Sequence, residues 1–212
     1  FFNQKLNLNC KIILLNDEKL GAISKEIFCS MIKELDQTQK YEFSNYFLIS
    51  GVKKQNIELV DYLLSEGITY DDILIDAVRT HNLELVNTVL KYNSKPSFVN
   101  TKRSNGTALF WAVSNNDCSI IQRLISISGI DANIPDERGV YPLLHACLNN
   151  RIKAIELLLK SGKVNPNLSS SYDDGNSILM STLANKNEKA AKILIEYPET
   201  DINARNYNDF SA

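Results

Sequence analysis

Between residues 48 and 195 the chain repeats itself. Leu109-Phe110-Trp111-Ala112 returns as Leu143-Leu144-His145-Ala146 and again as Leu179-Met180-Ser181-Thr182, the leading leucines standing 34 and then 36 residues apart. Nine residues after each Ala-type position comes an apolar or small residue, Ile121, Ile155 or Ala191. Shortly after it comes an apolar pair, Leu124-Ile125, Leu158-Leu159 or Leu194-Ile195. A unit of this length cannot enclose a core of its own. Its apolar face must be buried against the next copy, so the chain is committed to a stacked array.

The template extends upstream. Leu74 and Ala77 precede Val86 and Val89-Leu90, and Leu48 and Gly51 precede Val60 and Leu63-Leu64. The Ala-type positions are 51, 77, 112, 146 and 182. The interval from 51 to 77 is only 26 residues, too short to hold more than a tight link, whereas the later intervals leave room for a projecting finger. The fingers repeat as well. Asp131-Ala132-Asn133-Ile134 matches Asp201-Ile202-Asn203-Ala204, with Val99-Asn100 and Val164-Asn165 as looser copies. Asn105-Gly106, Arg138-Gly139 and Asp174-Gly175 supply the turns. Helix pairs are expected at 42–53 and 56–66, 71–80 and 83–92, 107–115 and 118–128, 141–149 and 152–161, and 177–185 and 188–196. Left-handed caps are expected at Gly67, Asn93, Gly129 and Gly162, with Pro198 ending the last helix.

These residues resemble the ankyrin repeat, whose pattern is a T-P-L-H-x-A helix start, a V-x-x-L-L second helix and a G-A-D-V-N-A stretch leading to a hairpin tip. The resemblance covers roughly residues 41–212, five units and the start of a sixth, Ser211 occupying the Thr slot held by Ser177 one unit earlier. Thr107 is the only Thr at its position and Pro142 the only Pro. The motif His is replaced by Ile49, Ile75, Phe110, Leu144 and Met180. The resemblance implies an all-α solenoid of stacked antiparallel helix pairs with short β-hairpin fingers. Residues 1–40 are expected to form an N-terminal capping segment with one helix, Ser24 as its N-cap and Ile27, Phe28, Met31, Ile32 and Leu35 on one face. Asp36–Lys40 reads as a polar turn. The chain opens on Phe1 rather than Met and closes inside a repeat, so a window onto a longer protein is expected.

Composition narrows the function. Lys and Arg number 23 against 25 Asp and Glu, a formal charge of −2, so there is no broad basic field of the kind nucleic acid requires. No apolar run approaches the roughly 20 residues of a membrane span. Cys10, Cys29, Cys118 and Cys147 show no C-x-x-C spacing and read as free thiols of a reducing compartment, the cytoplasm or the nucleus. The sequons at Asn105 and Asn167 are then coincidental.

Nothing assembles into a catalytic constellation. His81 falls in a turn between paired helices. His145 sits in the packing layer with no Cys, Asp or second His at i+3 or i+4. Phosphate-binding and nucleophile-elbow motifs are absent. The doublets Asp71-Asp72, Asp136-Glu137 and Asp173-Asp174 read as helix-start acids or as solvated finger acids rather than acid/base pairs. The chain is therefore read as a non-enzymatic module without cofactor or metal. It is expected to be a monomer that binds another protein, not a small molecule, nucleic acid or membrane.

In the ankyrin family the fingers and the exposed positions of the first helices are the usual contact positions, and the resemblance implies them here. They are Lys53 and Lys54, Arg79, Lys102 and Arg103, Ser114 and Asn115, Arg138, Leu148, and Tyr172, Asp173 and Asp174. Early positions are basic and late ones acidic, a gradient that would steer a partner of complementary polarity; the alternative is that these charges only keep the surface soluble. Trp111 is read as packing between repeats, with an exposed anchor as the alternative. Two other roles stay open: a recruiting arm of a larger enzyme such as a kinase or ubiquitin-ligase component, and a structural spacer.

Overall fold

The computed structural model describes residues 28–29, 36–103, 105–169 and 173–212. Most of the expected N-terminal helix, together with Ser104 and Tyr172, lies outside the described residues. The helices are α1 Gln37–Lys53, α2 Ile57–Ser65, α3 Ile73–Arg79, α4 Leu83–Tyr92, α5 Pro96–Val99, α6 Ala108–Ser114, α7 Cys118–Ile125, α8 Pro142–Leu148, α9 Ile152–Lys160, α10 Ile178–Ala184 and α11 Glu188–Glu196. The architecture is all-α, and the expected five helix pairs are present in register. Among the described residues strand pairing is confined to isolated antiparallel bridges, Arg103 with Gly106 and Ser169 with Ser177. The chain divides into two compact units between Asn93 and Ser94.

In the first unit α1 packs on α2 and α3, and α4 packs on α2 and α3, giving two stacked pairs. Their interior is aromatic at one end. Phe28, itself helical and 1% exposed, lies with its ring 5.2 Å from Phe47 and 6.1 Å from Phe43 and Tyr62. α1 begins at Gln37, so the polar stretch read as a turn is its first turn, closed by the Lys40 N–H on the Asp36 carbonyl at 2.9 Å. A solvated first turn carries no apolar period, and polarity alone does not distinguish it from a loop.

In the second unit α6, α8 and α10 lie side by side as one layer and α7, α9 and α11 as the other, each first helix packed on its own second helix. The Ala-type positions explain themselves: Ala77, Ala112, Ala146 and Thr182 are all 0% exposed. They stand where a first helix meets its neighbours, and a larger side chain has no room. At Gly51 even a methyl group would come within 3.1 Å of Val60 Cγ2. The leucines of the repeat, Leu109, Leu143 and Leu179, are buried as well, each worth about 1.5–3 kcal/mol relative to exposure.

Helix ends follow local chemistry. Asn56, Asn82 and Asp117 cap α2, α4 and α7 through side-chain oxygens, and Thr107 and Ser177 cap α6 and α10. Thus the missing motif His does not leave those two first helices uncapped. Gly67 and Gly162 are left-handed immediately beyond the caps of α2 and α9. Asn93 is extended instead (φ −149), because the chain runs straight on toward Pro96, where Lys95 must also be extended. Gly129 is left-handed but lies three residues past the Ser126 cap. The turn inside each pair is more uniform: Gln55, His81, Asn116, Asn150 and Lys186, each four residues after an Ala-type position, have φ between 51° and 60°.

Asparagines bind successive repeats of the second unit together. Asn100 donates to the Gly129 carbonyl and accepts from the Asp131 N–H; Asn133 donates to Lys163 and accepts from Asn165; Asn167 donates to Glu199 and accepts from Asp201. All six bonds lie between 2.7 and 2.9 Å. This ladder corrects the finger alignment. Asn165 is the counterpart of Asp131, each accepting from the N–H two residues on, and Asn167 is the counterpart of Asn133. The Val-Asn doublet at 164–165 is therefore two residues out of step with Ala132-Asn133.

Candidate interaction surface

The first-helix layer of the second unit carries a cleft of about 430 Å³, lined by Arg138, Val140, Leu144, His145, Leu148, Asn149, Asp173, Ser181 and Asn185. Its floor comes from α8, where Leu148 is partly exposed over the buried Leu144. One wall is the finger before α8, the other is α10 with the finger that precedes it. Three of the residues picked out in the sequence, Arg138, Leu148 and Asp173, meet here.

The finger before α8 is organised by Asp136, which is 2% exposed. Its Oδ1 accepts the N–H groups of Arg138 (2.9 Å) and Val140 (2.8 Å), its Oδ2 receives Arg138 Nε at 3.3 Å, and its own N–H donates to the Val140 carbonyl. The expectation of a solvated finger acid fails at this residue. A carboxylate that satisfies two backbone amides of its own turn is held inside it, because those amides have no other acceptor. Asn206 repeats the device in the last finger, accepting from Asn208 and Phe210. Lys102 reaches across from the preceding finger and donates to the Asp136 carbonyl at 3.0 Å.

The α10 wall is equally fixed. Ser181, 1% exposed, donates its hydroxyl to Asp173 Oδ2 at 2.5 Å. Asn149 and Asn185, equivalent residues of adjacent units, each donate Nδ2 to the carbonyl four residues back, His145 and Ser181, both at 2.8 Å. The third member of that series, Asn115, keeps its Nδ2 buried with no hydrogen-bond partner. His145 is half-buried with its ring 5.0 Å from Phe110. Burial lowers its pKa below the ordinary value; the Asp136 carboxylate opposes that shift, and Arg138 and Arg151 add to it.

The remaining sequence candidates lie elsewhere. Lys53 and Lys54 line a separate notch of about 220 Å³ on α1 with Tyr46, Ile49 and Ser50. Arg79 is exposed and 3.8 Å from Asp76. Arg103 and Asp174 are exposed, Ser114 and Asn115 are partly buried, and Trp111 is partly buried on α6. Ser181 and His145 belong to the cleft but were not among the sequence candidates; Asn149 and Asn185, which hold the same contact position as Asn115 in the next two units, belong to it as well. The recurrence of Asn three residues after the Ala-type position was the available signal.

Among the described residues no group of three or more His, Cys, Asp or Glu is placed to hold a metal. Burial pushes the Cys147 thiol up to about 12, which removes it as a nucleophile. No described helix is long and apolar enough to cross a membrane.

Comparison with known proteins places the fold. No curated protein matches the sequence. The family model described as ankyrin repeats (3 copies) matches residues 109–206. Among solved structures, the ankyrin repeat domain of Bcl-3, described as a unique member of the IkappaB protein family, superposes with a TM-score of 0.70 at 20% identity, covering 82% of this chain and 86% of that one. Ankyrin-repeat domains are in general protein–protein interaction modules. Three units recognised in sequence over residues 109–206, and a fold that superposes over most of its length on an ankyrin repeat domain, show an all-α ankyrin-repeat fold.

Proposed function

We propose that the chain is a non-catalytic recognition module that binds a partner protein across the first-helix face and fingers of residues 94–212. The cleft carries the reading. Partly exposed apolar side chains at Val140 and Leu148 stand inside a frame of polar groups already fixed by hydrogen bonds. A surface so preorganised loses little entropy on binding. The charge gradient is partly spent within the molecule, since Lys102 and Arg138 are both engaged by Asp136. The polarity that would steer a partner runs from Lys102 and Arg103 at one end to Asp173 and Asp174 at the other. The free thiols of Cys29, Cys118 and Cys147 fit a reducing compartment, the cytoplasm or nucleus.

The test is affinity capture with the chain and with a Leu148→Asp copy shown by circular dichroism to keep its helices. A protein retained by the first and lost with the second identifies a partner of this face. Identical profiles from the two baits would leave a spacer role in its place.

A further inference from the structure

We propose that the cleft between α8 and α10 is a pocket for a cationic side chain, best an arginine, carried on an extended segment of the partner. This rests on the interaction reading above and names what the face selects.

Several polar groups of the cleft are oriented by hydrogen bonds, and three of them offer acceptor oxygens. Asn149 and Asn185 each place Nδ2 on a carbonyl of their own helix at 2.8 Å. That contact fixes which way each amide points and turns the carbonyl oxygen Oδ1 away from the helix. Asp173 is held by the buried Ser181 hydroxyl through Oδ2, which leaves Oδ1 to accept from a ligand. Three oxygens, one of them charged, thus belong to residues that line the cleft, beside the one N–H that each amide keeps. The carboxylate sets the sign, and with the two amide oxygens it suits a group rich in donors. Guanidinium is that group: planar, permanently charged and able to bridge a carboxylate and neighbouring oxygens at once.

The rest of the cleft completes the match. The methylene stem of an arginine needs apolar surface, and the partly exposed Leu148 and Val140 supply it. A volume of about 430 Å³ accommodates one such side chain with an apolar neighbour. Arg138, tied to Asp136 at 3.3 Å and lining the cleft from the preceding finger, disfavours a second cation and favours an acid at that end. The segment is read as basic at the Asp173 end, apolar in the middle and neutral or acidic at the Arg138 end.

The experiment is selection from a random dodecapeptide library displayed on phage, panned on the full chain, with winners remade as synthetic peptides. Binding is measured to the chain, to Leu148→Ala and to Asp173→Asn; the last keeps an acceptor for Ser181 and so keeps the wall. The expected winners share an arginine next to an apolar residue. They weaken about tenfold when that arginine becomes citrulline, its uncharged isostere, and by a similar factor on Asp173→Asn. Winners that weaken on Leu148→Ala but lack a basic residue, or that ignore Asp173→Asn, would overturn the cation pocket and leave the interaction face standing. Winners indifferent to Leu148→Ala, or none at all, would overturn both.

Discussion

The two units of this chain carry the same repeat and are held together by different means. Residues 94–212 have fingers, and every finger link contains an asparagine hydrogen-bonded to the backbone of the next repeat. The first unit, with 26 residues between its Ala-type positions, has no room for that device. There side chains meet side chains, Lys91 Nζ and Tyr92 Oη both on Asp61 at 2.9 Å and Asn82 on Gln55 at 2.8 Å, with one longer bond from Gln55 to the Thr80 carbonyl at 3.4 Å. These bonds are exposed, and exposed pairs contribute about 0–1 kcal/mol. The first unit therefore depends on its apolar interior, above all on the rings around Phe47. A repeat fold can be secured by main-chain bridges or by core packing, and this molecule does one in each half.

The largest effect should come from removing the packing on which the first unit depends. Phe47→Ala deletes a ring that is 0% exposed and 4.6 Å from Phe43, at a cost of about 3–5 kcal/mol. Hydrogen exchange should show residues 37–93 losing protection while residues 118–160 keep theirs. Equal loss across both would mean that the units do not differ as argued. Asn133→Ala comes next. It removes two bonds to the following repeat and is expected to cost about 1–3 kcal/mol, read from denaturant unfolding and from faster exchange at Asn165. Asn82→Ala, which removes a cap and an exposed link in the first unit, should cost about 1 kcal/mol.

The pH dependence of the second unit should be modest and of known sign. Because burial holds the folded His145 below its ordinary value of 6.5, the unfolded chain takes up a proton first as pH falls. The stability contributed by the neutral imidazole is present above about pH 6.5 and is lost as pH drops below it. His145→Gln should flatten that part of the stability profile measured by urea midpoints. The smallest effect is a gain. Lys186 sits at φ 58° in the turn of the last pair, and Lys186→Gly should stabilise by about 0.5–1 kcal/mol. Gln55→Gly, at the same φ, should gain less, because Gln55 accepts from Asn82 and donates to the Thr80 carbonyl.

What could be read in the sequence, and what could not, follows the same physics. Leu109, Leu143 and Leu179 announced the stack because burial between repeats demands the same apolar residue at the same step. The helix pairs followed, and so did Leu148 as a partly exposed apolar residue on a first helix. Asp136 gave no such sign. Its burial depends on two amides within its own turn, a relation with no period, and the adjacent Glu137 made the doublet look like a solvated pair. The Ser181–Asp173 contact was hidden for another reason: the finger before α10 is longer than its counterparts, so register from other repeats could not place Asp173. The asparagines of the cleft were visible as a recurrence, but only hydrogen-bond geometry shows which of their atoms face outward.

The asparagine ladder has one further consequence, for how such a protein can change. Each rung joins a side chain of one repeat to main-chain atoms of the next, and main-chain atoms are the same whatever residue bears them. A duplicated or excised repeat would therefore meet its new neighbour with every rung intact, without compensating substitutions on the other side. Array length in residues 94–212 is thus free to drift by whole units, while the first unit, whose joints match particular side chains, is not.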